Sequence, residues 1–248
     1  MKFGVTLFQT DVNLYPVIGK KAEEVGIESM WMSDHLAPLT TIAPTYPYSS
    51  TGMPPFKPDS PWLDSFVTMS SVAAVTERIK FANNVYILPL RHPFVTARAV
   101  ATLDLVSKGR VLFGVGVGWW REEFEAAGQD FDNRGPRSTE IVEILRRLWT
   151  EDTIEHRGAH YSFGPMKFEP KPVQRPIPIM FGGTTKAALR RAAREGDGWV
   201  ATAMTPEQIR EAVGQLKELR ESYGRAHLPF RGHDRLDAAA HAGCGACV

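Results

Sequence analysis

Val111, Leu112, Phe113, Val115 and Val117 form an apolar run with no alternation to polar positions. A strand of that kind is buried on both faces, which a parallel sheet covered by helices provides and a one-sided antiparallel sheet does not. Gly114, Gly116 and Gly118 interleave the run at every second position. Glycine weakens a strand interior, so three on one side indicate that a ligand or another stretch of backbone passes close to that face. Trp119 to Glu123 then open a helix at the strand's carboxyl end, where parallel α/β folds hold their ligands. The glycines do not spell the dinucleotide fingerprint G-x-G-x-x-G, because position 119 holds Trp and position 121 holds Arg.

The rest of the chain repeats this strand–helix logic. Lys2 to Phe8 reads as a strand and Val12 to Glu24 as a helix with Gly26 as its carboxyl cap. Glu28 to Ser33 is a second strand, and it delivers Asp34 and His35. Ala37 to Pro61 has no periodicity and is rich in Pro, Thr, Ser and Tyr, the mark of a lid or binding segment. Leu63 to Thr76 reads as helix, Lys80 to Leu88 as the third strand, and Phe94 to Val106 as the helix leading into the apolar run. Ser138 to Trp149 is helical, with Ile141, Ile144, Leu145 and Leu148 at core spacing. Thr150 to Pro176 reads as a second loop over the same rim. Ile177 to Phe181 and Gly198 to Ala203 are strands, followed by helices to Glu195 and to Tyr223, the last opened by a capping box at Thr205 and Gln208.

Six strand–helix units with a parallel sheet point to a TIM-type (β/α)8 barrel curtailed to about six units, since eight close the common barrel. Residues 1–225 form this domain and 226–248 an atypical tail. Composition adds only exclusions. A net charge of +1 in 248 residues offers nothing to a nucleic acid or an anionic membrane. No signal peptide and no membrane-spanning stretch is visible, and the only cysteines, Cys244 and Cys247, lie in the tail. The expectation is a cytoplasmic protein without disulfides.

Seven short runs then identify a likeness. They are Trp31-Met32-Ser33-Asp34-His35, Leu88-Pro89-Leu90-Arg91-His92-Pro93, Thr102-Leu103-Asp104, Gly109-Arg110-Val111, Gly114-Val115-Gly116-Val117-Gly118-Trp119, Phe181-Gly182-Gly183 and Gly196-Asp197-Gly198-Trp199. In this order and separation they resemble the bacterial luciferase-like superfamily, and within it the F420-dependent oxidoreductase branch. The resemblance covers about residues 1 to 225. It implies a flavin or deazaflavin at the carboxyl end of the strands and hydride transfer to or from it. Coenzyme F420 is the expected cofactor and FMN, in a two-component monooxygenase, the alternative. A catalytically inactive truncated barrel is the rival from another class. The expected partners are a small-molecule substrate and a second copy in a homodimer.

Several residues are implicated. His35, at the end of the second strand, is the candidate proton source or anion stabiliser. Asp34 would fix its imidazole or cap the next turn. The resemblance implies a non-proline cis peptide at Asn84–Val85 supporting the cofactor ring, and a polar contact from Glu122, with Glu123 solvated. Gly116 and Gly118 would let the ring or its ribityl chain lie against backbone. Gly182, Gly183, Thr184 and Thr185 precede a helix whose free N–H groups suit a phosphate, or else form a tight turn capped by one of the threonines. A sugar-phosphate dehydrogenase branch of the family carries a carboxylate where this chain has Trp119, which disfavours a glucose-phosphate substrate. Tyr46, Tyr48, Phe56 and Trp62 would either wall an apolar substrate pocket or pack among themselves. No metal cluster is expected.

Overall fold

A computed structural model describes residues 3–231. Cys244, Cys247 and the end of the predicted tail lie outside them. Strand β1 (Gly4–Leu7) leads through a 3-10 turn into α1 (Tyr15–Glu24), and β2 (Ser29–Met32) follows. Gly26, at φ +84°, takes the left-handed position after α1 that lets Ile27 N–H reach back to the Ala22 carbonyl at 2.9 Å. Helix α2 (Ser65–Ala73) is capped by Asp64, whose Oδ1 accepts from Phe66 N and Val67 N at 2.9 Å each.

The predicted third strand is in fact two. β3 (Lys80–Asn83) and β4 (Tyr86–Ile87) are separated by a cis peptide bond between Asn84 and Val85. Then come α3 (Pro93–Val106), β5 (Val111–Gly116), α4 (Arg121–Ala126) and α5 (Arg134–Thr150). β6 (Ile154–Arg157) and β7 (Ser162–Met166) form an antiparallel hairpin, and β8 (Ile179–Gly182), α6 (Lys186–Glu195), β9 (Gly198–Val200) and α7 (Pro206–Ser222) complete the described chain.

The main sheet is parallel, in the order β1-β2-β3-β5-β8-β9, with β4 continuing along β5. This is the six-strand portion of a barrel that the repeat predicts. Arg231 bonds alongside β9, donating its N–H to the Asp197 carbonyl at 2.8 Å. Both faces of β2, β5 and β9 are buried, as the unbroken apolar run of β5 requires, while the edge strand β1 is partly exposed. Met30, Phe81, Val111, Phe113, Val115 and Phe181 join the main core with residues of the helices, while Trp31, Ala82, Leu112, Met180 and Val200 form a separate cluster. Successive strand residues face opposite ways, so β2, β3, β5, β8 and β9 each feed both clusters.

The glycines of β5 give way to backbone and to Val85. A Cβ on Gly114 would sit 1.9 Å from the Asn83 carbonyl oxygen, and one on Gly116 would sit 2.4 Å from Val85 Cγ2. A Cβ on Gly182 would meet Val85 Cγ1 at 2.5 Å. Val85 is therefore wedged between Gly116 of β5 and Gly182 of β8.

The segment 150–176 corrects an expectation. It does not cover the rim but clasps the outer helices. Glu140 of α5 accepts from His160 N and Tyr161 N at 2.9 and 2.8 Å and from His156 Nε2 at 3.0 Å, which pins the hairpin. Lys171 donates to the Leu148 and Glu151 carbonyls at the end of α5. Gln174 bonds the buried Asp104 carboxylate and the Val111 carbonyl, at the amino end of β5 and far from the rim. Pro- and aromatic-rich composition marks a loop but does not say which side of a sheet it serves.

Candidate active site

The extended chain leaving β2 sends Asp34 and His35 to different partners. Asp34 accepts from Ile87 N at 2.9 Å and forms a two-pronged ion pair with Arg91, at 2.7 Å from each carboxylate oxygen. Arg91 also lies 4.4 Å over the Tyr86 ring. Burial pushes Arg91 toward neutrality, and the Asp34 carboxylate more than reverses it, so the Arg91 pKa lies above its ordinary value. Burial raises the Asp34 pKa against the pull of Arg91 and the Ile87 N–H. Tyr86, buried beside this pair, is pushed up to about 12 by desolvation.

Asp34 thus does not orient the imidazole. Glu123 does. Its Oε2 lies 2.8 Å from His35 Nδ1, and its Oε1 accepts from Leu36 N at 2.7 Å. The Glu123 side chain is 1% exposed and that of His35 8% exposed. The expectation of a solvated Glu123 is therefore overturned. Glu122, its neighbour, is exposed and contacts nothing in this cluster. Neighbouring positions on a helix point about 100° apart, and α4 turns Glu123 and Phe124 inward.

Four aromatic rings surround His35. The centroids of Trp62, Phe56, Trp120 and Trp119 lie 4.8, 4.9, 5.9 and 6.0 Å from its own. Phe56 and Trp62 come from the long loop and its end, which folds back over the end of β2. Tyr46 extends the cluster, 5.1 Å from Trp119 and 5.4 Å from Tyr48. The indole N–H groups of Trp62 and Trp120 are buried without a hydrogen-bond partner. Buried donors of that kind cost stability unless something else accepts from them.

The turn after β8 forms the other end of the site. Gly183 has φ +111°, and its carbonyl accepts from Trp199 Nε1 at 2.8 Å. A Cβ there would sit 2.9 Å from Ala188 Cβ and 3.5 Å from the Tyr48 hydroxyl. Thr185 caps α6 by accepting from Ala188 N at 3.2 Å. Thr184 lines a cleft of about 530 Å³ together with Tyr48, Ser49, Ala203, Gln208 and Glu211. Ala203 holds φ +51° there, a strained conformation for a residue with a Cβ. Tyr48 joins this cleft to the rings around His35.

The Asn84–Val85 bond is cis, at the position the resemblance implied. Gly116 faces the wedged Val85, and Gly118, at φ +81°, lies where a Cβ would meet Phe124 at 2.6 Å and Ile87 at 2.9 Å. Both glycines make room for protein in this structure. Among the described residues, no group of three or more His, Cys, Asp or Glu could hold a metal ion.

The comparison with known families agrees with this architecture. Residues 17–232 match the model of the luciferase-like monooxygenase family. The chain belongs to it. An uncharacterised protein of Mycobacterium tuberculosis is 37% identical over 94% of this chain and 80% of its own length. An F420-dependent glucose-6-phosphate dehydrogenase of Amycolatopsis mediterranei is 30% identical over 84% of this chain and 64% of its own. An FMNH2-dependent dimethylsulfone monooxygenase of Pseudomonas putida is 33% identical over 64% of this chain and 45% of its own. Among solved structures, the monooxygenase RslO1 of Streptomyces bottropensis superposes with a TM-score of 0.72 at 26% identity, covering 90% of this chain and 67% of that one. An F420-dependent secondary alcohol dehydrogenase superposes with a TM-score of 0.75 at 20% identity, covering 93% and 68%. That last likeness concerns the fold. No helix among the described residues is long and apolar enough to cross a membrane.

Proposed function

We propose that this family member moves hydride between coenzyme F420 and a small organic substrate, with His35 handling the accompanying proton. The observation that carries the reading is the His35–Glu123 pair, buried among four aromatic rings at the carboxyl end of the strands. The residues fit a planar cofactor with a phosphate-bearing tail. Two indole donors beside His35 lack partners, and a glycine at φ +111° opens a hydroxyl-lined cleft at the head of α6. Gly182 to Thr185 would hold the phosphate, and Asn84, Val85, Gly116 and Gly118 would back the ring. Glu122, exposed, is left with at most a contact at the outer edge. When bound, a deazaflavin supplies or accepts the hydride, and the protein supplies orientation and electrostatics. The substrate-facing wall is apolar, built from Phe56, Trp62 and Trp119. The expected setting is the cytoplasm and the expected assembly a homodimer.

The dimethylsulfone monooxygenase among the relatives keeps FMN as the second reading. Titration of the purified chain with F420 and, separately, with FMN decides between them. Saturable binding of F420 without oxygen consumption supports the proposal. Preference for FMN, with oxygen consumed when reduced flavin is supplied, replaces it with the monooxygenase reading. Binding of neither points to an inactive barrel. Gly183→Asp should weaken whichever cofactor binds, because it places charge and bulk where Ala188 and Tyr48 already crowd the turn.

A further inference from the structure

We infer that Glu123 is a positioning residue that fixes both the ring orientation and the tautomer of His35. The inference rests on the proposed role of His35 for its consequence in turnover, but not for the tautomer itself.

The argument begins with donors and acceptors. An ionised carboxylate only accepts hydrogen bonds. One oxygen of Glu123 is satisfied by Leu36 N at 2.7 Å, so the other, 2.8 Å from Nδ1, requires a proton on that nitrogen. In the neutral imidazole the lone pair then sits on Nε2. The described residues offer Nε2 no hydrogen-bond partner, so it is the end left for a ligand. The clamp is also geometric. Leu36 N–H and the His35 ring are gripped by the same carboxylate, which ties the exit of β2 to the first turn of α4. Phe56, Trp62, Trp119 and Trp120 then close around the ring from the other directions. Glu123 acts on the site through His35 and through the Leu36 backbone that carries it.

A carboxylate-to-amide change tests this without altering shape. In Glu123→Gln, Oε1 can still accept from Leu36 N–H, and the amide NH2 then faces Nδ1 as a donor. The proton must move to Nε2, and the lone pair turns away from the ligand. The measurement is long-range 1H–15N correlation of the ligand-free protein at a pH where His35 is neutral, the His35 signals being assigned by their loss in His35→Gln. The wild type should show the Nδ1–H form and Glu123→Gln the Nε2–H form. Turnover in Glu123→Gln should fall by about a hundredfold with KM little changed, and Glu123→Asp should recover part of it. An Nε2–H form in the wild type, or the same tautomer in both proteins, would overturn the inference. Should Glu123→Gln fail to fold, the wild-type spectrum alone decides. A wild-type Nδ1–H form combined with full turnover in His35→Ala would sink the proton role of His35 while leaving the tautomer assignment standing.

Discussion

Replacing Gly116 with Ala tests whether the glycine run of β5 serves the protein or a ligand. The new Cβ would lie 2.4 Å from Val85 Cγ2 and 3.4 Å from Val85 Cβ. Non-bonded carbons settle at about 3.5–4.0 Å, so more than an ångström must be found. Val85 cannot easily supply it, because its other methyl already presses on Gly182, 2.5 Å from where a Cβ there would be. Overpacking of this kind costs about 1–3 kcal/mol, and the top of that range applies where the neighbour is pinned. The loss of unfolded-chain freedom on Gly→Ala returns about 0.4–1 kcal/mol. The net destabilisation is about 2 kcal/mol, a fall in Tm of about 4–8 °C for a chain of this size. Val85→Ala removes the obstructing methyls, so the double variant should be more stable than the two single costs summed, with a coupling of about 1–2 kcal/mol. Urea denaturation followed by circular dichroism measures all four corners of the cycle. Additive costs, or a neutral Gly116→Ala, would show that the space beside Gly116 does not belong to Val85. Gly214 in α7 is the control: nothing lies within 4 Å of a Cβ there, and Gly214→Ala should stabilise by about 0.5–1 kcal/mol.

Three further outcomes follow from the same geometry. His35→Ala leaves the buried Glu123 carboxylate without its partner and opens a gap among four rings, so it should cost about 2–3 kcal/mol while the protein still folds, and cut turnover sharply; undiminished turnover removes it from the mechanism. Asp34→Asn leaves Arg91 without its counter-charge in a half-buried site, and should cost about 3 kcal/mol by denaturant midpoint. An unchanged midpoint would mean that the pair contributes nothing. Glu140→Gln probes pH. Burial works to raise the Glu140 pKa, but Tyr161 N–H, His156 and His160 N–H outweigh it and hold the carboxyl below its usual range. A depressed folded pKa contributes stability that is present above the unfolded value and is lost as pH falls through the folded one. The stability gap between wild type and variant should therefore be open at neutral pH and close on acidification, and a gap independent of pH would refute the assignment.

Most of the architecture was legible because burial on both faces leaves its own pattern. Val111 to Val117 could not alternate and still sit in this sheet, and the order of strands and helices followed from that. The misplacements have physical causes. α5 begins at Arg134, four residues before the expected start at Ser138, because Pro136 is tolerated in a first helical turn and a polar turn carries no periodicity. The third strand breaks at Asn84, and the Asn83 carbonyl and the Val85 side chain occupy the space that Gly114 and Gly116 leave, so the partner of the break lies in β5 and not in the strand itself. Segment 150–176 clasps the outer helices and not the rim that its composition suggests, since its anchors, Glu140 and Asp104, are helix residues brought to it by tertiary structure.

The site shows where adjacency in sequence misleads. Asp34 beside His35 reads as a carboxylate supporting an imidazole, yet an extended chain sends neighbouring side chains in opposite directions. Adjacency at a strand end therefore argues against mutual contact, and the support for His35 had to come from another element. Any carboxylate near the head of α4 could have been that support, and the choice between Glu122 and Glu123 depends on helical phase. The phase is set by where α4 begins, at Arg121 and not at Trp119, and by Phe124 turning into the core. Asp34, released from His35, instead bonds Ile87 N and Arg91, just past the Asn84–Val85 bond. Two consecutive residues at the end of β2 thus hold two different parts of the fold, Asp34 the chain around β4 and His35 the head of α4.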